Sequence, residues 1–266
     1  MRLAEKVAIV SGAGTGIGAA TARLFAREGA RVVLTGRRVE PIEAVAAEIG
    51  GVFVSGDAAD PEHAAAAVDA ATGTFGGVDI VVANAGIGVE GAAGDVDVDE
   101  WRRTIDVNLT GPLLLARAAV PALIARGGGS IVLVSSVAGL GASMESAAYV
   151  ASKTGLIGLA RSIAVDYGPA GIRANALCPG WVVTPMGDES MDELAAERGI
   201  ARDEAYRLAT EHAPLRRPAT AEEIASCCLF LSSEESSIVT GSVLVADGGA
   251  TAADLGTLAF APRDRR

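Results

Sequence analysis

The chain has 266 residues, half of them apolar, and carries a net charge of −11 from 33 acidic and 22 basic side chains. That length supplies one substantial core, and the acidic balance excludes a broad nucleic-acid surface, which needs a basic stripe, as well as adsorption to anionic membranes. Three cysteines (Cys178, Cys227, Cys228) without metal-ligand spacing and two histidines (His63, His212) argue against a disulfide framework, a metal centre and a Ser-His-Asp site.

From the amino terminus, "KVAIVSG" (6–12) is a short β-branched run closed by glycine, the pattern of a buried parallel strand. The opening stretch is apolar for only five residues before glycines interrupt it, so it does not read as a signal peptide. The next residues, "SGAGTGIGAA", place Gly12, Gly14, Gly16 and Gly18 at the start of a helix whose unpaired N–H groups can receive an anion. The dinucleotide spacing G-x-G-x-x-G/A is met only loosely, from Gly14 through Ala19. Gly12-x-x-x-Gly16-x-Gly18 describes the loop better, and its place between strand and helix points to a bound pyrophosphate.

After the helix "IGAATARLFAREG" comes a second strand, "RVVLTG", with no acid at its tip and Arg37 and Arg38 next. An acid there would accept hydrogen bonds from a ribose 2′-hydroxyl, whereas an arginine would pair with a 2′-phosphate. The reading is NADP preferred, NAD possible, with Arg37 as the main contact; the alternative is two arginines lying in solvent ahead of a helix. "EPIEAVAAEIG" is that helix, "GVFVSGD" a third strand, "PEHAAAAVDAATGTFG" a proline-initiated helix and "VDIVVANAG" (78–86) a fourth strand.

A long helical region, roughly 97–125, follows. Its best apolar stretch, "GPLLLARAAVPALIA", carries Arg117 and Pro121 and is shorter than a membrane span, so the reading is a soluble, cytoplasmic protein. Asn108 sits mid-helix, where asparagine is a poor helix former. It either marks a break that relays protons or is a solvent-facing polar residue.

"GSIVLVSS" (129–136) is a fifth strand. A helix over about 147–167 holds "SAAYVASKTG", which sets Tyr149 one turn before Lys153 on the same face. The two could share a proton or a ligand, or pack as an ordinary surface pair. "GIRANALCPG" and "TGSVLVADGG" (240–249) complete seven strands. Steady alternation of strand and helix, with no linker or low-complexity tract, predicts an α/β fold. We expect a Rossmann-type doubly wound, seven-stranded parallel sheet in three layers (α/β/α), forming one domain over 1–266. Ligands in such sheets bind beyond the carboxyl edge.

Residues 185–214 read as one or two amphipathic helices able to act as a lid. Eight acids and three arginines lie between Asp188 and Glu211, a poor approach for coenzyme A or an acyl carrier. A small, neutral secondary alcohol or ketone suits it better, although Arg126 and Arg173 could form a basic spot. The apolar faces of 97–125 and 147–167, with Gly155 and Gly158 permitting close packing, are candidate subunit contacts. The tail at 250–266 is either an interface arm or disordered.

Taken together, "SGAGTGIG", "NAG" (84–86), "VNLTG" (107–111), Ser136, "YVASK" and "PGWVVT" closely resemble the short-chain dehydrogenase/reductase family, over about Lys6 to Gly249. Ser136 precedes Tyr149 by thirteen residues, the family's usual interval. The resemblance implies hydride transfer between a nicotinamide and an alcohol or carbonyl carbon, and a homotetramer or homodimer. It makes Tyr149 the acid/base, Lys153 its helper, Ser136 the hydroxyl that holds the substrate oxygen, and Asn108 the fourth member. It further implies cofactor contacts at Gly12, Thr15, Gly16, Ile17 and Gly18, at Arg37, Asp57, Ala58, Asn84 and Gly86, at Tyr149 and Lys153 themselves, and at Pro179, Gly180, Val182 and Thr184. Ser11 replaces a common threonine, and Thr15 stands where many NADP-preferring members have a second basic residue. Other readings in reserve are a 3-oxoacyl-thioester reductase of the same family and a catalytically silent cofactor-binding protein.

The chemistry expected of the pair follows from charge. A phenol with a pKa near 10 is a poor base at neutrality, and a cation one turn away favours the phenolate. Tyr149 could then take the alcohol proton in oxidation and donate it in reduction.

Overall fold

The computed structural model describes residues 1–254 and 256. Seven parallel strands form one sheet: β1 (Val7–Ser11), β2 (Arg31–Gly36), β3 (Val52–Ser55), β4 (Ile80–Ala83), β5 (Gly129–Val134), β6 (Ile172–Pro179) and β9 (Val243–Ala246). Their spatial order is β3-β2-β1-β4-β5-β6-β9. Two further short strands, β7 (Val182–Val183) and β8 (Ala219–Thr220), pair with each other away from the sheet. All seven strands of the sequence reading are present; β2 has its expected bounds, and the other six are shorter.

β1 is buried along its whole length because it is covered on both faces, which is why it reads as an unbroken apolar run. One face packs against α1 (Gly16–Arg27), α2 (Val39–Ile49) and α9 (Ala221–Ser232), with Phe25, Leu34, Ile80 and Leu229 inside. The other packs against α3 (Pro61–Phe75), α5 (Gly111–Ala125) and α6 (Ala147–Tyr167), around Ile9, Val81, Leu123, Ile131 and Leu156. The expected three layers are therefore two separate apolar cores on opposite sides of one sheet.

The long helical region is α4 (Val98–Ile105), a π-helical turn (Asp106–Thr110) and α5, continuous over 28 residues. It is long and apolar enough to cross a membrane, where the sequence reading judged its apolar stretch too short. Leu115, Ala116, Ala119 and Leu123 are nonetheless buried against the sheet, so it is a core helix.

The chain leaves β3 at one edge and re-enters at β4, next to β1, so the connections change direction between β1 and β4. In an open sheet this crevice at the carboxyl ends is where ligands bind. The glycine loop after β1 and "NAG" after β4 both sit there.

Candidate functional site

The glycine loop is bound to the crevice by its neighbours. Ser11 Oγ accepts from the N–H groups of Asn84 and Ala85, both at 3.0 Å, so serine keeps the oxygen that a threonine would have provided. Asn84 Nδ2 donates to the carbonyls of Ser11 (3.0 Å) and Gly12 (3.3 Å). Gly12 adopts φ +64, a conformation glycine takes freely. A side chain at Gly18 would collide with the Gly12 carbonyl. Thr184, at the start of α7 (Pro185–Arg198), packs over Gly16 and closes the loop from the far side.

At the N-terminus of α1, Thr15 makes no capping hydrogen bond and the first turn holds no acid. The bare N–H groups of Gly16, Ile17 and Gly18 thus suit an anion. Arg38 Nη2 lies 3.4 Å from Thr15 Oγ1, at the mouth of the same loop. Arg37, the sequence's choice, is exposed and makes no ion pair among the described residues; neither does Arg38. The structure therefore brings the second arginine to the loop and leaves the first pointing free. Asp57 Oδ1 accepts from Ala59 N at 2.9 Å, shaping the turn that presents Ala58 after β3.

Asn108 lies inside the π-helical turn and is fully buried, which rules out the solvent-facing alternative. Its Oδ1 accepts from Ile87 N at 2.8 Å, and its Nδ2 donates to Ile87 O at 2.9 Å and to Ser152 Oγ at 3.2 Å. Ser152 in turn donates to the Tyr149 carbonyl at 2.7 Å. Ser152 is a structural member of the site that the sequence did not reveal, because nothing in the pattern distinguishes it from a helix-surface serine.

Lys153 is buried, its Nζ 5.5 Å from the centre of the Tyr149 ring and 2.9 Å from the Val134 carbonyl, to which it donates. The surface-pair alternative is thereby excluded. Burial lowers the Lys153 pKa to about 8, with the nearby Cys178 opposing the change. Ser135 and Ser136, adjacent at the end of β5, diverge: Ser135 Oγ donates to the Lys153 carbonyl at 2.7 Å. Ser136 reaches the Tyr149 phenol and also accepts from Ala138 N at 3.2 Å, capping a short 3-10 turn. Ser136 therefore closes the turn after β5 and faces the phenol at the same time.

One expectation is reversed. The sequence argument has Lys153 pulling the phenol pKa down, whereas in the structure Tyr149 lies above the ordinary tyrosine value. Burial is the main cause; the Ser136 interaction pulls it back and Cys178 pushes the same way as burial. Lys153 is turned toward a backbone carbonyl, 5.5 Å from the ring centre, and burial of the phenol outweighs its influence in the free site. Cys178 is buried and adjoins both groups, and burial raises its own pKa.

A Cβ at Gly86 would stand 3.5 Å from Lys153 Nζ and 3.3 Å from Asn108 Oδ1, so glycine keeps the approach to the ammonium open. The crevice thus offers uncapped N–H groups at the start of α1 at one end and an open approach to the Lys153 ammonium at the other. Pro179 ends β6, and Gly180 passes so close to Asp247 that a Cβ would lie 2.9 Å from its side chain. Val182 pairs with Ala219 in the small sheet, which aims Thr184 back at the loop.

Residues 185–214 form two helices, α7 and α8 (Arg202–Ala209), sharing a small core of Met191, Ala195, Ala205 and Tyr206. Tyr206 Oη donates to Asp188 at 3.0 Å, while Arg202 pairs with Asp192 at 2.6 Å and Asp188 at 3.5 Å. A cleft of about 380 Å³ behind α8 gathers Arg202, Arg207, Arg216 and Arg217, a clustering that the acid count concealed. Arg202, Arg207 and Arg217 are engaged with Asp192, Glu204 and Glu223. Arg126 and Arg173, the suspected basic spot, are also committed. Arg126 pairs with Asp79 at 3.1 Å, and Arg173 donates to the carbonyls of Leu231 and Ser233. Both sit at the amino-terminal edge of the sheet, opposite the crevice.

Gly155 packs within the chain, against Leu109, rather than serving a neighbour, while Gly158 faces open space. Most of the expected tail at 250–266 lies outside the described residues.

A family model described as enoyl-(acyl carrier protein) reductase matches residues 12–251. Protein MoaE of Klebsiella aerogenes is 44% identical over 96% of this chain and 99% of its own length. The trans-4-hydroxycyclohexanecarboxylate dehydrogenase of Sinomonas cyclohexanicum is 43% identical over 94% of this chain and 95% of its own. The crystal structure of levodione reductase superimposes with a TM-score of 0.90 at 33% identity, covering 95% of this chain and all of that one.

Proposed function

Because the chain belongs to the short-chain dehydrogenase/reductase family, oxidoreductases of CH–OH groups that use nicotinamide cofactors, we propose that it interconverts small secondary alcohols and ketones with NADP. The observation that carries this reading is the placement of Lys153. Its buried Nζ stands between the Tyr149 ring and the Val134 carbonyl, directly behind the opening that Gly86 keeps clear.

The bound nicotinamide supplies or accepts the hydride. The chain's own residues handle the oxygen and its proton. Ser136 hydrogen-bonds the reacting oxygen, and Tyr149 donates a proton to it in reduction or removes one in oxidation. Burial favours the protonated phenol in the free site, the form that donates in reduction. Lys153 orients the ribose and supplies positive charge near the phenol when proton transfer begins. Asn108 holds the π turn against residues 87 and 152, leaving helix backbone available to relay protons toward Lys153. Asp57, Ala58, Pro179, Gly180, Val182 and Thr184 line the rest of the cofactor's path.

NADP is favoured by Arg37 and Arg38 at the tip of β2, neither of them in an ion pair among the described residues, and by the missing acid. Replacing both (Arg37→Ala with Arg38→Ala) should raise the KM for NADPH by roughly 10-fold or more, as expected for lost charge-assisted bonds, and leave that for NADH within twofold. Steady-state kinetics with each cofactor would test it; a wild type that prefers NADH strongly would sink the NADP assignment.

The substrate class rests on the mouth of the site. Leu140, Trp181, Val183 and Met186 are exposed apolar side chains on segments leaving the carboxyl edge of the sheet. Such a rim fits a compact apolar ring, and the Sinomonas relative is named for a ring alcohol. The family model's description raises a thioester substrate as the second reading, but the lid pairs its own arginines with acids. We expect turnover with cyclohexanone and cyclohexanol to exceed that with a 3-oxoacyl thioester at least tenfold, the scale of losing one good contact. A cofactor-oxidation panel decides: dominance of the thioester overturns the class, and binding without turnover across the panel overturns the enzyme.

The protein is proposed to work in the cytoplasm as one dinucleotide-binding and catalytic unit with α7–α8 as its lid. Three free cysteines suit a reducing compartment. It is proposed to assemble as a homotetramer through the long helix and α6, where Val98, Leu113, Ile124 and Val165 lie exposed and Gly158 leaves room for a neighbour.

A further inference from the structure

Helix α6, which carries Tyr149 and Lys153, starts without a side-chain cap. Ser146 occupies the capping position, but its hydroxyl donates to the Met144 carbonyl at 2.9 Å instead. The first helical N–H, that of Ala147, donates to the carbonyl of Gly91 at 3.1 Å, from a loop more than fifty residues away. Gly91 N donates to the Glu145 carbonyl at 2.6 Å, completing an isolated parallel bridge between Gly91 and Ser146.

Both sides of this bridge are in unusual backbone conformations. Gly91 sits at φ +148, and a Cβ there would lie 2.9 Å from both Val96 Cα and Val96 Cβ. Glu145 sits at φ +50, which a side-chain-bearing residue seldom adopts. Strain of this kind persists only where the surroundings over-determine it. At its other end the same loop is held at Ile87, whose N–H and carbonyl are both taken by the buried Asn108 side chain.

We propose that residues 87–91 form a strap that positions Tyr149. Anchored on the π-helical turn at Ile87, it caps the first turn of α6 at Ala147 and fixes the direction from which the phenol, two residues on, meets Ser136. Gly91 is its key position: a positioning residue that touches no reacting group and acts through the helix start. The proposal rests on the assignment of Tyr149 as the proton carrier.

Two variants break the bridge from opposite sides. Gly91→Ala drives a methyl into Val96, and Glu145→Pro forbids φ +50. Each should lower kcat by roughly 10²-fold, the scale of a 1 Å misplacement, with the cofactor Kd and Tm close to wild type. Glu145→Gly, which adopts the same φ at ease, should keep full activity. The ultraviolet difference titration of the phenol, read against Tyr149→Phe, should move in Gly91→Ala and Glu145→Pro but not in Glu145→Gly. Should Gly91→Ala fail to fold, Glu145→Pro carries the test alone.

Unchanged kcat and an unchanged phenol titration in the bridge-breaking variants would overturn the strap. So would activity that falls only in proportion to the folded fraction. Full activity in Tyr149→Phe would instead overturn the reading of the site beneath it.

Discussion

Tyr149→Phe is expected to lower kcat for ketone reduction by roughly 10³-fold or more, at the upper end of what a positioned general acid contributes. The substitution removes one oxygen and leaves the ring. Ser136 keeps its other partner, the Ala138 N–H, so the end of β5 and the turn after it have no reason to shift. The loop at Gly12–Gly18 and the Asn84 bonds that hold it are remote from the change, and cofactor affinity should stay within twofold. The variant also supplies a reference for titrating the phenol. In the cofactor-free protein the wild-type-minus-variant absorbance change should fall above pH 10, because burial raises the folded value above that of free tyrosine. Below that pH the group keeps its proton. Reduction should therefore run well at neutrality, while alcohol oxidation should climb as the pH is raised. A variant that turns over at the wild-type rate would remove Tyr149 from the mechanism altogether.

The sheet was legible because each strand is a short β-branched run ended by glycine or a polar residue, and each helix lies between two of them. The crossing point then followed from topology, and with it the edge on which "SGAGTGIG" and "NAG" had to meet. Four kinds of information were not legible. The first was direction: Arg37 and Arg38 are adjacent letters, and only the backbone at the tip of β2 decides which reaches Thr15. The second was the electrostatic balance, since a spacing of four brings Lys153 near Tyr149 but says nothing of Val134, whose carbonyl takes the ammonium, or of the burial that outweighs it. The third was pairing among charges: an acidic lid by count holds arginines engaged one by one with Asp192 and Glu204. The fourth was the Gly91–Ser146 bridge, a contact between two irregular loops with no periodicity to announce it.

Lys153→Met should be inactive yet no less stable than wild type at pH 7, and the two effects have one cause. The ammonium is buried against the Val134 carbonyl, and its pKa is lowered to about 8 by desolvation. Holding the charged form in the fold therefore costs roughly 3 kcal/mol relative to free lysine. Methionine fills a similar volume without charge but leaves the Val134 carbonyl without its donor, which costs about 1–3 kcal/mol. The terms nearly offset, and the net change at pH 7 should be a gain of about 1 kcal/mol or none. The pH dependence separates this account from simple repacking. Because the folded value lies below the unfolded one, the penalty on wild type is fully present below pH 8 and is relieved as the pH rises toward about 10.4. Wild type should therefore gain on the variant across that window, which urea unfolding at pH 7 and at pH 10.5 would measure. Meanwhile the positive charge and the proposed ribose contact are gone at every pH, and kcat should fall roughly 10²–10³-fold, as for loss of one preorganised electrostatic donor. A stability difference that does not change with pH would mean that burial does not strain the ammonium, and the account of Lys153 as a desolvated cation would fall.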